Sequence, residues 1–168
     1  VFVADTSGSM DGEPIAQLKR SLINASQYIG EDNSIGLVTY NNDVQINLPI
    51  GKFDINHRSY FTGAVEDISP FGSTATFDGV AVAADMLIKA KEENPDAKIM
   101  MFVLSDGETN IGCSLKDISR IIQALEIPIY TIGYNANLEE LGKLSAINEA
   151  ASVNADSDDV VYALKNLF

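Results

Sequence analysis

Five side chains in this sequence have types and spacings that suit one kind of chemistry. They are Asp5, Ser7 and Ser9 in the run Asp5-Thr6-Ser7-Gly8-Ser9, Thr74 in Gly72-Ser73-Thr74, and Asp106 in Ser105-Asp106-Gly107. All five offer oxygen. Hard oxygen donors suit a hard divalent cation such as Mg²⁺, Mn²⁺ or Ca²⁺ better than zinc or copper. The first run taken alone is equally what a turn leading into a capped helix looks like, because Asp and Ser are common turn and N-cap residues. Metal ligation requires the three stretches to meet in space.

The elements around them predict that they do. The apolar run Val1 to Ala4 stops at Asp5, as a buried strand does when it delivers its end to a loop. Apolar spacing of three and four from Ile15 to Ile29 predicts a helix over residues 13–29, with Pro14 in its first turn and Gly30 as its stop. Residues 34–40 read as a second strand. Residues 43–50 alternate Val44, Ile46 and Leu48 against Gln45 and Asn47, which predicts an edge strand with one wet face. The short turn Asn41-Asn42 makes that strand antiparallel to the one before it.

A helix over about 56–68 ends before Pro70, and the loop carrying Thr74 leads into a helix that ends near Asn94-Pro95. The nearly continuous apolar run 98–104 predicts a central strand ending at Ser105-Asp106. A helix at 115–125, a strand at 127–133, a short helix at 138–147, a short strand near 150–153 and a helix at 158–167 complete the order. Alternating strands and helices imply an α/β, doubly wound, mostly parallel six-stranded sheet with one antiparallel edge strand and helices on both faces. Loops leaving the strand C-terminal ends gather along one sheet edge, so the stretches bearing Asp5, Thr74 and Asp106 converge there.

Composition narrows the function. A chain of 168 residues is one domain, and 46% hydrophobic with 21% charged residues is a globular balance. The formal charge of −13, from 24 acidic against 11 basic residues, argues against nucleic acid and anionic membrane as partners. No apolar run approaches the roughly 20 residues that cross a bilayer. Cys113 is the single cysteine, which excludes an internal disulfide and a cysteine-based zinc site. The sequence opens inside a strand, which reads as a domain cut from a longer protein.

On these residues the sequence closely resembles the von Willebrand factor type A, or integrin I-domain, family with its metal ion-dependent adhesion site, and the resemblance spans essentially the entire chain. The family's Asp-x-Ser-x-Ser stands as Asp5-Thr6-Ser7-Gly8-Ser9, its threonine as Thr74 and its second aspartate as Asp106. The resemblance implies a six-coordinate cation held by Ser7, Ser9 and Thr74 hydroxyls, with Asp5 and Asp106 acting directly or through water. One position stays open for a Glu or Asp carboxylate of a protein partner. It further implies a non-catalytic adhesion or assembly module, extracellular or in the cell envelope; as an isolated domain the chain is expected to be monomeric. Movement of the last helix on partner capture is implied as well. With few formal charges touching it, such an ion stays electrophilic toward an incoming carboxylate.

The competing reading is a metal-dependent hydrolase or phosphotransferase on an α/β fold. It lacks a general base near the three stretches: His57, the only histidine, reads as an exposed helix-start residue. Neither serine sits in a Gly-x-Ser-x-Gly elbow. Gly8 and Gly12 do not make a dinucleotide loop. An aspartyl phosphotransferase would need an acid two residues after Asp5, where Ser7 stands. Nothing basic adjoins Cys113 to activate it. Asp11, Glu13, Asp78 and Glu108 could ring the site and tune partner choice, but they read first as acids near helix starts, where the helix dipole favours them.

Overall fold

The computed structural model describes residues 1–107, 109, 111–134, 138–148, 150, 152–154 and 160–165. Among these residues the six strands are β1 (Phe2–Asp5), β2 (Ser34–Tyr40), β3 (Val44–Lys52), β4 (Met101–Ser105), β5 (Ile129–Gly133) and β6 (Ser152–Asn154). The helices are α1 (Glu13–Ser26), α2 (Ile55–Glu66), α3 (Thr76–Glu93), α4 (Leu115–Leu125), α5 (Leu138–Ala146) and α6 (Val160–Lys165), with a 3-10 turn at Gly8–Met10. The sheet order is β3-β2-β1-β4-β5-β6, parallel throughout except for the β2–β3 pair. This is the α/β arrangement the alternation of elements predicts.

β1 and β4 lie side by side at the centre with every residue buried, which is why both read as unbroken apolar runs. Alternation along β1 divides the core into two layers. Phe2 and Ala4 pack with Leu18, Leu22, Phe61, Val65 and Leu164 from α1, α2 and α6. Val1 and Val3 pack with Phe77, Val80, Ile118, Ile122, Leu141 and Leu144 from α3, α4 and α5. Gly79 on α3 allows the closest approach: a Cβ there would lie 2.8 Å from the ring of Tyr40 and 3.3 Å from Val3.

Several boundaries depart from expectation for identifiable reasons. α1 stops at Ser26 rather than Ile29, because the chain tightens into turns from Tyr28 N to Ala25 O and from Ile29 N to Ser26 O. The guanidinium of Arg58 caps that end, donating to Ser26 O at 2.5 Å and Ile29 O at 2.6 Å. β4 begins at Met101, where its ladder to β5 begins opposite Ile129. In β3 the simple alternation fails. The register slips by one residue between Ile35 and Leu37 and again between Leu37 and Val38. Each slip turns the following side chain to the other face. Leu48 therefore joins the layer of α1 and α2, whereas Val44 and Ile50 pack on the layer of α3, and Ile46 is left 51% exposed. The ends of the expected last helix (158, 159, 166 and 167), residue 151 of the expected last strand and Glu108 lie outside the described residues.

Candidate metal centre

Parallel pairing places the ends of β1 and β4 next to each other, with Ala4 opposite Leu104, so the loops that follow them start as neighbours. The carboxylate of Asp5 folds back onto its own loop: its Oδ1 accepts from Ser7 N at 2.8 Å and from Ser7 Oγ at 2.5 Å. Ser7 Oγ lies 3.0 Å from Ser9 Oγ, and Ser9 Oγ donates to Asp106 Oδ2 across the two loops. Asp5, Ser7, Ser9 and Asp106 thus form one continuous chain of oxygens. Asp5 and Ser7 are buried, Asp106 is nearly so, and Ser9 is exposed.

Thr74 arrives by way of backbone bonds that pin its loop. Phe71 N donates to Thr6 O and Gly8 N donates to Gly72 O, both at 2.9 Å, so residues 71–72 run against the Asp5–Ser9 stretch. The β2–β3 turn holds the other side, with Ser73 N donating to Asn42 Oδ1 at 2.8 Å and Ala75 N to Asn41 O at 2.9 Å. Gly72 has φ +80°, and a Cβ there would collide with the Asn42 amide oxygen, so the bend suits glycine alone. Thr74 is a loop residue, as expected, but only 2% exposed, and its carbonyl accepts from Ile111 N at 3.3 Å. Asp78, at the start of α3, accepts from Cys113 N at 3.0 Å and so ties down the segment after Asp106.

Three contributors were not among the sequence candidates. Ser105 Oγ donates to Asp5 Oδ2 at 2.7 Å and accepts from Gly107 N at 3.0 Å, fixing the second oxygen of the buried carboxylate. The hydroxyls of Tyr40 and Thr76 are buried and complete no hydrogen bond of good geometry. Burial, followed by the negative charge of Asp5, holds the Tyr40 phenol well above its ordinary range. The serine before an aspartate and the tyrosine ending β2 carry no sequence signal, because their roles exist only once β1, β2 and β4 are adjacent.

Charge accounts for what the oxygens lack. Burial pushes the Asp5 carboxyl up to about 6, against the hydrogen bonds from Ser7 and Ser105, and the neighbouring Asp106 raises it further. No lysine or arginine is among the groups acting on it. Two carboxylates drawn together, one of them out of contact with water, are unfavourable on their own, and a divalent cation would offset that cost. The donor set fits such an ion. Among the described residues no group of three or more His, Cys, Asp or Glu converges. The cluster instead has two carboxylates, with hydroxyls as its remaining donors.

His57 is elsewhere and is not the exposed residue expected. It is half-buried, with Nε2 2.7 Å from Ile35 O, and its ring packs where a Gly51 Cβ would stand. Ile35 lies near the start of β2, at the opposite sheet edge from Tyr40 and Asp5. The Cys113 thiol is pushed up to about 11, first by burial and then by Asp78, so it is not an activated nucleophile.

Residues 1–167 match the von Willebrand factor type A domain family. The chain is 30% identical over 149 residues to inter-alpha-trypsin inhibitor heavy chain H3 of Bos taurus, covering 82% of this chain and 16% of that protein. It superposes with a TM-score of 0.81 at 19% identity on a von Willebrand factor type A structure from Catenulispora acidiphila, covering 99% of this chain and 40% of that one. A second structure, proximal thread matrix protein 1 from the mussel byssus with a zinc-occupied MIDAS motif, superposes with a TM-score of 0.73 at 18% identity, covering 99% and 44%. The chain spans about a sixth of the length of that inhibitor heavy chain and less than half of either solved chain. No helix among the described residues is long and apolar enough to cross a membrane. The chain belongs to the von Willebrand factor type A domain family.

Proposed function

We propose that this domain binds a divalent cation through Asp5, Ser7, Ser9, Thr74 and Asp106, and that the bound ion captures a Glu or Asp carboxylate of a protein partner. The observation that carries this reading is the buried Asp5 carboxylate drawn into one oxygen cluster with Asp106 and no basic side chain among the groups acting on it. Mg²⁺ is the expected ion, with Mn²⁺ or Ca²⁺ as substitutes, because every donor is a hard oxygen. When bound, the ion supplies a Lewis-acidic position for the incoming carboxylate. The chain's own part is to hold the donors: Ser105 orients Asp5, the β2–β3 turn holds the Thr74 loop, and Asp78 holds the segment beyond Asp106.

The role is binding, not catalysis. His57 is committed to Ile35 O at the far edge of the sheet, so no imidazole is positioned to move a proton at this centre. Placement outside the cell or in its envelope accompanies this reading by family resemblance, and the isolated domain is monomeric.

The test is thermal unfolding with increasing Mg²⁺ or Mn²⁺. A ligand at about 100 times its Kd stabilises the folded state by about 2.7 kcal/mol, a readily measured rise in Tm. Asp5→Ala and Asp106→Ala should remove the response. A parent domain whose Tm and calorimetric titration ignore Mg²⁺, Mn²⁺ and Ca²⁺ alike would overturn the metal reading.

A further inference from the structure

We infer that the partner segment captured at this centre carries its single carboxylate between apolar residues and close to Lys or Arg, with Phe71 and Ile111 receiving the apolar neighbours. The inference rests on the metal reading above and adds the chemistry that surrounds the captured acid.

Two large apolar side chains stand exposed where the three loops join. Phe71 is 63% exposed and its own N–H is bonded to Thr6 O, inside the Asp5–Ser9 run. Ile111 is 36% exposed and its N–H is bonded to Thr74 O. Each therefore sits one backbone hydrogen bond from a segment that carries a candidate ligand. One marks the seam with the β1 loop and the other the seam with the β4 loop. Neither side chain belongs to a core layer. Exposed apolar groups bordering a polar site act on a ligand that reaches past the polar group.

The charge around these seams has one sign. Residues 5–12, 41–43, 67–75 and 106–114 contain no Lys, Arg or His. Asp11, Asp43 and Asp67 are exposed there. Of the nearest cations in sequence, Lys19 and Arg20 are occupied, while Lys116 follows Ile111 by five residues and is exposed. Lys19 donates to Glu66 O, Arg20 pairs with Glu13, and Lys116 stands in the first turn of α4. A partner whose carboxylate lay among other acids would gain at the metal and be repelled by this rim, within a molecule already at −13. A partner that surrounds one acid with Lys or Arg gains from both. The occupant that satisfies metal, seams and rim together is a basic, apolar protein segment with one acid.

The experiment uses displayed ten-residue peptides with a fixed central Glu and randomised neighbours, selected on the folded domain in Mg²⁺ and counter-selected in EDTA. Clones that need Mg²⁺ should be enriched in Leu, Ile or Phe beside the Glu and in Lys or Arg further out. For a synthetic peptide of the enriched sequence, Phe71→Ser and Ile111→Ser should each weaken binding about tenfold while leaving the Mg²⁺-induced rise in Tm unchanged. Asp11→Lys with Asp43→Lys should shift the selected flanks away from basic residues. Mg²⁺-dependent clones without these flanks, or none at all from a domain whose Tm responds to Mg²⁺, would overturn this inference and leave the metal reading standing. A domain whose Tm ignores Mg²⁺ would overturn both.

Discussion

Asp5 concentrates the energetics of the centre in one side chain. Its folded-state pKa of about 6 lies above the ordinary 3.8, chiefly through burial. Between those two values the folded, metal-free domain holds a proton that the unfolded chain has released, so this group's contribution to stability falls as pH rises through that window and is lost above it. The size of the effect is at most about 3 kcal/mol. In EDTA at neutral pH, Asp5→Asn should be more stable than the parent by about 1–3 kcal/mol, and the difference should shrink as pH falls toward 4. Added Mg²⁺ should stabilise the parent alone, and should bind it more weakly below about pH 6, where the proton competes. Chemical denaturation of both proteins across this range, with and without Mg²⁺, makes the comparison. Identical pH profiles in EDTA would show that burial does not load the carboxylate. Asp5 was identifiable from its place at the end of an apolar run. Ser105, which orients it, was not, since a serine one residue before an aspartate acquires its role only when β4 lies against β1.

At the scale of elements, α1 shows how a boundary is set from outside. Its apolar stripe continues to Ile29, which is buried, yet the helix ends at Ser26 where Arg58 of α2 takes the carbonyls of Ser26 and Ile29. The guanidinium also lies over the Phe53 ring, 4.4 Å from its centroid. Hydrogen bonds from a charged group contribute roughly 1.5–3 kcal/mol each at most, and the buried carbonyls would be left with fewer partners. Arg58→Ala should therefore cost about 2 kcal/mol of stability, measured as a lower urea midpoint at unchanged slope, without weakening Mg²⁺ binding. A loss within a few tenths of a kcal/mol would mean water replaces the cap fully. The same dependence on neighbours explains β3: its pattern reads as a strict alternation, and the two register slips that send Leu48 to one layer and Ile50 to the other arise in its pairing with β2.

For the whole molecule, a charge of −13 attracts cations from a distance before any ligand contact is made. Raising the ionic strength from about 0.01 M to about 0.15 M contracts the screening length from about 30 Å to about 8 Å. Mg²⁺ affinity should then fall several-fold in NaCl, beyond what Asp5 and Asp106 alone account for. Titration calorimetry on the parent, and on a variant with exposed acids remote from the centre neutralised, such as Asp32→Asn with Glu93→Gln, separates the long-range part. Equal salt dependence in the two would confine the electrostatics to the centre.

The sequence by itself determined the α/β class, the order of the elements and the residues worth testing. Those properties follow from local rules: apolar periods of two and 3.6, glycine and proline at boundaries, and oxygen-bearing residues at strand ends. Tertiary structure alone decided that Ser105 donates to Asp5, that Thr74 is buried while held by the β2–β3 turn, that His57 turns inward to Ile35 O, and that Phe71 and Ile111 stand exposed at the seams. These contacts join residues tens of positions apart, and burial and proximity at such separations are properties of the assembled sheet, which no local pattern encodes.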